Sequence, residues 1–301
     1  MPITPAPAVV RACDVLDALA DGPEHGLTVS ELSRLADVPR ATCDAVLLAL
    51  ADGGLVVREG DRRYVLGHRC IALGDAARAT NSLLRAASLQ AEAIARRMGA
   101  CVAVCLSDGE LVTVADVADH SPPFTISTRT GQTVALRAPF GAVFVAWEPP
   151  RRVARWLAET EVDEVTRRTW DDALAEVRRL GYSVGVTRGH RTLDRLDALA
   201  RDARAGGAPV ELDELYPDLL VSHGLAVGLD DEQPVRINQL SAPVFDRAGH
   251  VVASIMALGP DTAMTGAEVH ALGRRVLEAA DRVTRGIGGR RPAVEHLGEA
   301  G

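Results

Sequence analysis

The chain has 301 residues, of which 47% are hydrophobic, so it can bury a sizeable core and is long enough for two domains. Its 33 basic residues are outnumbered by 41 acidic ones, and the net charge of −8 argues against nonspecific affinity for nucleic acid over the whole surface. No apolar run approaches the roughly 18 residues of a membrane span, no signal-peptide pattern opens the chain, and the five cysteines are scattered. We therefore expect a cytoplasmic protein with no membrane partner.

The N-terminal part of the sequence predicts three helices. Apolar positions at helical spacing indicate a helix over residues 7–20, which the segment DGPEHG ends. Thr28 and Glu31 have the pattern of a capping box and therefore mark the start of a second helix. Pro39 presets the start of a third helix, which ends at Gly53. The buried face of this third helix would carry Cys43, Val46, Leu47 and Leu50.

A short hairpin and a connecting helix follow. The stretch LVVREGDRRYVLG, residues 55–67, has the outline of two strands around a tight loop. The order of helices and hairpin describes a winged helix-turn-helix over residues 1–67. Residues 68–82 predict a linker helix, interrupted near Gly74 or Asn81.

The rest of the chain predicts an α+β domain over residues 83–287. The runs CVAVCL and ELVTVADV are strands joined by an SDG turn, and FTIST is a third strand. The segments GAVFVAW and WDDALAEVRRLG are helical, and INQLSAPVFDRAGHVVASIMALG returns to the sheet as a hairpin. A last helix over about 266–285 precedes residues 288–301, which we expect to form a disordered tail.

Four stretches together resemble the IclR family of bacterial transcription regulators, in the order and at about the spacings of that family. They are LTVSELSRLADVPRATC, RRYVLGHRCIALG, LRAPFGAVFVAW and SAPVFDRAGHVVASIMALGP, within residues 7–181 and 238–285. The resemblance implies an N-terminal winged helix-turn-helix DNA-binding domain, a linker helix and a C-terminal GAF-like effector-binding domain. It also implies a homodimer or homotetramer on a palindromic double-stranded DNA operator, with a small-molecule effector and no cofactor.

The third helix is the recognition helix that the resemblance implies, and its residues depart from the family pattern. The family presents a basic residue, a Ser-Thr pair and later a polar-Arg pair to DNA, whereas this chain keeps only Arg40 and Thr42 of these and has Ala41, Asp44 and Ala45 at the other places. Arg40 is placed to reach base edges or the backbone. Asp44 either accepts a hydrogen bond from a cytosine amino group or indicates that DNA binding has been lost. Thr42 binds a phosphate or its own helix backbone.

Three arginines of the hairpin are the other DNA-binding candidates. Arg58, Arg62 and Arg63 could hold phosphates or enter a minor groove, where the negative potential attracts guanidinium groups. The alternative is a solvated loop in which Glu59 and Asp61 balance the charge.

The resemblance also places an effector pocket between the sheet and the helices near the APFG stretch. Met256 and Leu258 occupy places where the family often has serines, so we expect a relatively apolar effector, anchored by polar side chains of the preceding strand. Ordinary core packing is the alternative role for these two residues. The candidate effector-binding residues are Phe140, Gly141, Asn238, Gln239, Ser241, Met256 and Leu258.

An insertion at about residues 188–235 is longer than the corresponding connection in the family. Its segment TLDRLDALARDARAGG has one apolar face and predicts a helix. The insertion either acts as a lid or subunit contact, or decorates the surface without a role in sensing.

No constellation of residues in the sequence indicates catalysis or a metal site. Cys101 and Cys105 lie in an apolar strand without further ligands at a compact spacing, so buried thiols are favoured over a metal or redox pair. No nucleophile elbow, phosphate-binding loop or dinucleotide fingerprint is present. We therefore expect a regulator and not an enzyme.

One alternative keeps the fold but changes the function. Residues 1–79 contain eight arginines and eleven carboxylates, so the predicted DNA-binding domain is itself acidic. The chain could thus be a ligand sensor or interaction protein that has lost autonomous DNA binding.

Overall fold

A computed structural model describes residues 5–23, 25–122, 128–187, 223–259 and 262–292. The chain divides into two compact units, the first ending at Thr80 and the second beginning at Asn81. None of the helices in these ranges combines the length and apolarity that a membrane crossing needs.

The first unit packs its first three helices against a small sheet, and a fourth helix ends it. In chain order its elements are α1 (Pro7–Asp21), β1 (Leu27–Thr28), α2 (Val29–Leu35), α3 (Arg40–Asp52), β2 (Val56–Glu59), β3 (Arg63–Leu66) and α4 (His68–Thr80). The three strands are antiparallel in the order β1-β3-β2. The predicted helices and hairpin are confirmed, and the sheet gains a third strand, β1, that the sequence did not indicate.

Local signals explain where these elements begin and which face they bury. At the start of α2 the Thr28 Oγ1 accepts a hydrogen bond from the Glu31 N–H, and the Glu31 carboxylate accepts one from the Thr28 N–H at 2.7 Å. The predicted capping box is thereby confirmed. Helix α3 begins directly after Pro39, and its inward face carries the four predicted core residues Cys43, Val46, Leu47 and Leu50.

The second unit is an antiparallel sheet with helices on both faces. In chain order it contains α5 (Ser82–Met98), β4 (Cys101–Ser107), β5 (Leu111–Asp119), β6 (Thr133–Ala135), α6 (Ala142–Val145), α7 (Pro150–Ala158), α8 (Glu164–Leu180), β7 (Ser183–Thr187), β8 (His223–Leu225), β9 (Pro234–Val235), β10 (Ile237–Phe245), β11 (Val251–Leu258), β12 (Met264–Thr265) and α9 (Gly266–Gly286). The strand order is β6-β5-β4-β11-β10-β7-β8, with antiparallel neighbours. The predicted α+β class is confirmed.

Alternation along the strands divides the core of the second unit into two clusters. Val102 and Val104 pack in the cluster that includes α5 and α9, whereas Ala103 and Cys105 pack in the cluster that includes α6, α7 and α8. We call the second side of the sheet the α6–α8 face. Helix α5 starts after Asn81, whose side chain caps it, so the predicted interruption of the linker helix falls at Asn81 and not at Gly74.

Two predictions about the ends of segments need correction. Residues 288–292 are not a disordered tail, because Gly289 N–H donates to the Thr284 carbonyl and Arg290 N–H donates to the Asp246 carbonyl. Residues 293–301 lie outside the described residues. These residues are ordered because the chain here is still hydrogen-bonded to the β10–β11 turn.

The C-terminal part of the predicted insertion belongs to the sheets. Strand β8 pairs with β7, Leu225 is buried, and β9 pairs with β12. The predicted insertion helix in TLDRLDALARDARAGG lies outside the described residues, as does most of the predicted FTIST strand.

Candidate functional site

The exposed face of α3 carries most of the residues predicted for its contacts with DNA. Arg40, Ala41 and Asp44 are exposed, whereas Thr42 is half-buried. Arg40 Nη1 donates a hydrogen bond to the Ser30 Oγ of α2 at 2.8 Å, which holds this cation at the start of the helix. The Thr42 hydroxyl makes no hydrogen bond within the described residues, so the alternative in which its own helix satisfies it has no support.

The same exposed face continues for two further turns with residues that were not predicted. Ala45 is exposed, and Leu48 is 74% exposed. Both lie at helical spacing from Ala41, and this spacing was the available signal. A prediction based mainly on polar side chains does not include these two residues.

The hairpin is closed by a tight turn with an unusual backbone. The Arg63 N–H donates to the Gly60 carbonyl, and the two intervening residues, Asp61 and Arg62, have φ of 52° and 61°. Positive φ at both central positions is the requirement of a type I′ turn, whose twist suits a hairpin. The left-handed backbone conformation at Arg62 is energetically unfavourable for a residue other than glycine, asparagine or aspartate.

The three hairpin arginines differ in their surroundings. The side chains of Arg58 and Arg62 are exposed and have no ion pair or hydrogen bond with the part of the chain that the structure describes. Arg63 instead turns toward α2, where its Nη1 donates to the Gly26 carbonyl at 2.8 Å and to the Glu31 carboxylate at 3.2 Å. The structure therefore gives Arg63 a role inside the unit and leaves two arginines directed to solvent.

Glu31 is the carboxylate on which these contacts converge. Hydrogen bonds from the Thr28 N–H and hydroxyl, with the charge of Arg63 adding to them, hold the pKa of Glu31 below its ordinary value. Glu31 is thus ionised under ordinary conditions and ties the hairpin to the first turn of α2.

Four of the predicted effector-binding residues face each other across two strands. Gln239 pairs with Leu258, and Ser241 pairs with Met256, on neighbouring strands β10 and β11. Met256 packs in the cluster of the α6–α8 face. Alternation therefore places these four side chains together on that face.

Asn238 joins this group through an irregularity of β10. The register with β7 shifts between Ile237 and Gln239, so Asn238 departs from simple alternation. A Cβ added to Gly185 of β7 would lie 2.2 Å from the Asn238 Oδ1 and 2.9 Å from the Gln239 Cγ. Both side chains therefore lie over Gly185, which leaves them the room.

The Asn238 carboxamide is buried without a partner among the described residues. Neither its Nδ2 nor its Oδ1 makes a hydrogen bond within the described residues, and the indole N–H of Trp147, in the cluster of the α6–α8 face, is likewise buried and unsatisfied. Buried polar groups are satisfied in most native structures, so such groups indicate a bound molecule or water. Asn238 can supply two N–H donors and one acceptor oxygen to it. Trp147 packs on Phe245, at the other end of β10, and is therefore not part of the same group.

The predicted residues Phe140 and Gly141 lie in the loop that leads into α6, and α6 packs on β10 and β11. Gly141 has a φ of 72°, and a Cβ there would lie 2.2 Å from Leu136 Cδ1, so glycine is required. The Phe140 carbonyl accepts a hydrogen bond from the Trp156 indole N–H at 2.7 Å. This loop is therefore fixed by its own contacts beside the sheet.

Two surface cavities of the second unit lie elsewhere. One, of about 210 Å³, is lined by Phe144, Trp156 and Arg152, among others. The other, of about 550 Å³, is lined by Tyr182 and His270, whose hydroxyl and Nδ1 are 2.8 Å apart, among others. Neither lining includes a residue predicted for the effector, so the predicted site corresponds to neither cavity.

The cysteines of β4 behave as buried thiols. Burial raises the pKa of the Cys105 thiol to about 12, and burial also raises the pKa of Cys101. Metal ligation and redox chemistry need the thiolate, which these surroundings disfavour. Among the residues with described positions, no group of three or more histidine, cysteine or acidic side chains could hold a metal ion.

The comparisons with known proteins find similarity both in the N-terminal part of the chain and over nearly its whole length. The family model of the IclR helix-turn-helix domain matches residues 8–60. The HTH-type transcriptional regulator BhcR of Paracoccus denitrificans is 24% identical over 290 residues, which cover 96% of this chain and 90% of BhcR.

Solved structures share the architecture of the whole chain. An IclR transcriptional regulator from Alicyclobacillus acidocaldarius superposes with a TM-score of 0.70 at 21% identity, over 95% of this chain and 100% of that one. An IclR homologue from Microbacterium hydrocarbonoxydans, complexed with 4-hydroxybenzoate, gives 0.62 at 16% identity, over 93% and 99%. These relatives are transcription regulators and not enzymes. The chain therefore carries an IclR helix-turn-helix domain within the fold of the IclR-type transcriptional regulators.

Proposed function

We propose that the protein is a cytoplasmic, effector-responsive regulator that binds double-stranded DNA through residues 1–67. Helix α3 enters a major groove, and the hairpin contacts the flanking backbone or minor groove. The observation that carries this proposal is the pair of arginines, Arg58 and Arg62, that the structure leaves exposed beside α3 and without an ion pair among the described residues. Arg40 and Thr42 supply further contacts at the start of the helix, next to Ala41 and Asp44.

The linker, residues 68–82, supports self-association. Helix α4 has no buried residue, and it exposes Ile71 to 64% and Leu73 to 52%. Ile71 and Leu73 lie on different sides of the helix, and each gains stability when a second copy covers it. A homodimer or homotetramer would bind a palindromic operator whose half-sites lie one helical turn, or a multiple of it, apart.

The effector-binding domain, residues 83–287, would hold its ligand on the α6–α8 face. The unsatisfied carboxamide of Asn238, with Gln239 and Ser241, provides polar anchors, and Met256 and Leu258 provide an apolar wall. Phe140 and Gly141 lie in the loop before α6, where Gly141 is close to Val112. Strand pairing puts Val112 and Asn238 at opposite ends of the sheet, so this loop does not contribute to the Asn238 anchor. We expect a ligand with an apolar body and few polar groups, and the 4-hydroxybenzoate complex of the Microbacterium relative supports this class.

A DNA-silent sensor is the second candidate function. The exposed face of α3 carries the carboxylates Asp44 and Asp52, and beyond Arg40 this helix, described over its whole length, carries no cation. Carboxylates beside phosphates are repelled, so this face favours a protein that binds only ligands or other subunits.

Salt dependence of DNA binding separates the two functions. Fluorescence anisotropy on DNA from the region upstream of the protein's own gene would be measured from low to physiological salt for the full chain. A double variant, Arg58→Ala with Arg62→Ala, should lower the slope of log affinity against log salt by about 2, one for each phosphate that its arginine no longer neutralises. The matched control, Arg167→Ala with Arg168→Ala on α8, removes the same charge from an exposed helix of the second unit.

Equal slopes for both double variants would contradict a role for the hairpin arginines. No binding by the folded protein at any salt would favour the DNA-silent sensor.

For the ligand, a thermal-shift titration with 4-hydroxybenzoate and with pyruvate tests the effector class. Strong stabilisation by pyruvate would overturn the expectation of an apolar effector.

A further inference from the structure

The exposed face of α3 is chemically unusual for a helix that is to read DNA. Ala41, Asp44, Ala45 and Leu48 follow at i, i+3, i+4 and i+7, and all are exposed. None of them packs in the core cluster of the first unit, which takes the opposite face of the helix. Leu48 is 74% exposed, more than the partly exposed Leu35 of α2 at 48%. The face is therefore an apolar stripe with one carboxylate beside it.

The chemistry of the major groove limits what such a stripe can recognise. Guanine presents two acceptors there, and none of these four side chains donates a hydrogen bond. Thymine presents a methyl group, which alanine and leucine side chains contact favourably. A carboxylate accepts a hydrogen bond from the amino group of cytosine and is repelled by phosphates. Asp44 therefore disfavours contact with the DNA backbone and with bases that offer no hydrogen-bond donor.

The length of the stripe suits a short run of bases. From Ala41 to Leu48 the helix rises by about 10 Å, at roughly 1.5 Å for each residue. Successive bases of one strand are about 3.4 Å apart, so the stripe spans about three base steps. Helices in a major groove present side chains to about this many bases.

We propose that α3 recognises thymine through its 5-methyl group, with Leu48 making the principal contact and Ala41 and Ala45 the flanking ones. This inference rests on the proposed DNA binding and specifies its chemistry. Arg40, Arg58 and Arg62 hold the backbone, and the apolar stripe, with Asp44 beside it, selects the bases. Half-sites should then contain thymines opposite the stripe and a cytosine opposite Asp44.

The test uses DNA that lacks only the methyl group. The full chain would first select its preferred sites from a random duplex library, and each thymine of a selected half-site would then be replaced by deoxyuridine. For at least one thymine we expect the affinity to fall about fourfold, the effect of one buried methyl group. Leu48→Ala should bind the thymine site more weakly and lose the difference between thymine and deoxyuridine there.

Leu35→Ala is the matched control, because it removes the same atoms from an exposed leucine of α2. This variant should keep the full sensitivity to deoxyuridine. Equal affinity of the wild type for thymine and deoxyuridine at every position would overturn the methyl-contact inference while leaving DNA binding intact. The same sensitivity in Leu48→Ala and in the wild type would overturn the role of Leu48. Failure to select any DNA would remove the proposed function, and this inference with it.

Discussion

Replacing Asn238 by leucine should stabilise the second unit and abolish its response to the effector. The two polar atoms of this carboxamide are buried and have no hydrogen-bond partner within the described residues. A buried polar group without a partner costs about 1–3 kcal/mol, and leucine has a similar shape without polar atoms. Because leucine is branched like asparagine, little repacking is needed over Gly185, and a net gain of about 1–3 kcal/mol is expected.

Urea unfolding followed by tryptophan fluorescence measures this effect in one unit alone. The chain has three tryptophans, Trp147, Trp156 and Trp170, and all three lie in the second unit. Their signal therefore reports the unfolding of that unit, even when the first unit unfolds separately.

A second asparagine provides the control. The Asn81 Oδ1 accepts a hydrogen bond from the Leu84 N–H at 2.9 Å and caps α5. Asn81→Leu should therefore destabilise the second unit by about 1 kcal/mol, the opposite sign to Asn238→Leu. Destabilisation by Asn238→Leu as well would mean that the carboxamide is already satisfied in the free protein, and the reasoning about the effector anchor would be wrong.

Three further substitutions test other parts of the structure. Gly273→Ala would place a Cβ 2.2 Å from the ring of buried Tyr182 and should cost about 1–3 kcal/mol in urea unfolding; Gly286→Ala, in open space on the same helix, should cost nothing or stabilise. Arg62→Asn should relieve the strain of the left-handed backbone conformation, raise the free energy of unfolding by up to about 1 kcal/mol and weaken DNA binding in the anisotropy assay. A lower free energy of unfolding would mean that the backbone at this position is not strained. Because the pKa of Glu31 is lowered in the folded protein, its contribution to stability is present at neutral pH and is lost as the pH falls through the folded value. Acid unfolding followed by circular dichroism should show less dependence on pH in Glu31→Gln, and equal curves would exclude this contribution.

Sequence patterns predicted those elements whose signals are local. The capping box at Thr28, the helix start after Pro39 and the hairpin at residues 55–67 each depend on neighbouring residues, and each was confirmed. Strand β1 was not predicted because two residues are too few for a periodic pattern, and only pairing with β3 defines them. The role of Arg63 depends on a residue 32 positions away, which no local pattern reveals.

The candidate effector site shows the same limit. Alternation along β10 and β11 sufficed to place Gln239, Ser241, Met256 and Leu258 on one face. The position of Asn238 depends on a register shift against β7 and on the space over Gly185. Such a shift arises from strand pairing across the chain, so the sequence suggested the residue but not its buried, unsatisfied state.

The convergence of Thr28, Glu31 and Arg63 makes the hairpin and the first turn of α2 one mechanical piece. The Glu31 carboxylate holds Arg63, beside the turn of the hairpin, to the first turn of α2, and the pairing of β1 with β3 adds to this contact. The hairpin therefore cannot move independently of α2 while these contacts hold. The exposed side chains of Arg58 and Arg62 then keep a fixed distance from α3. Loss of the Glu31 carboxylate is accordingly expected to make the position of the hairpin relative to α3 variable, and so to weaken the proposed DNA binding, while the helices stay folded.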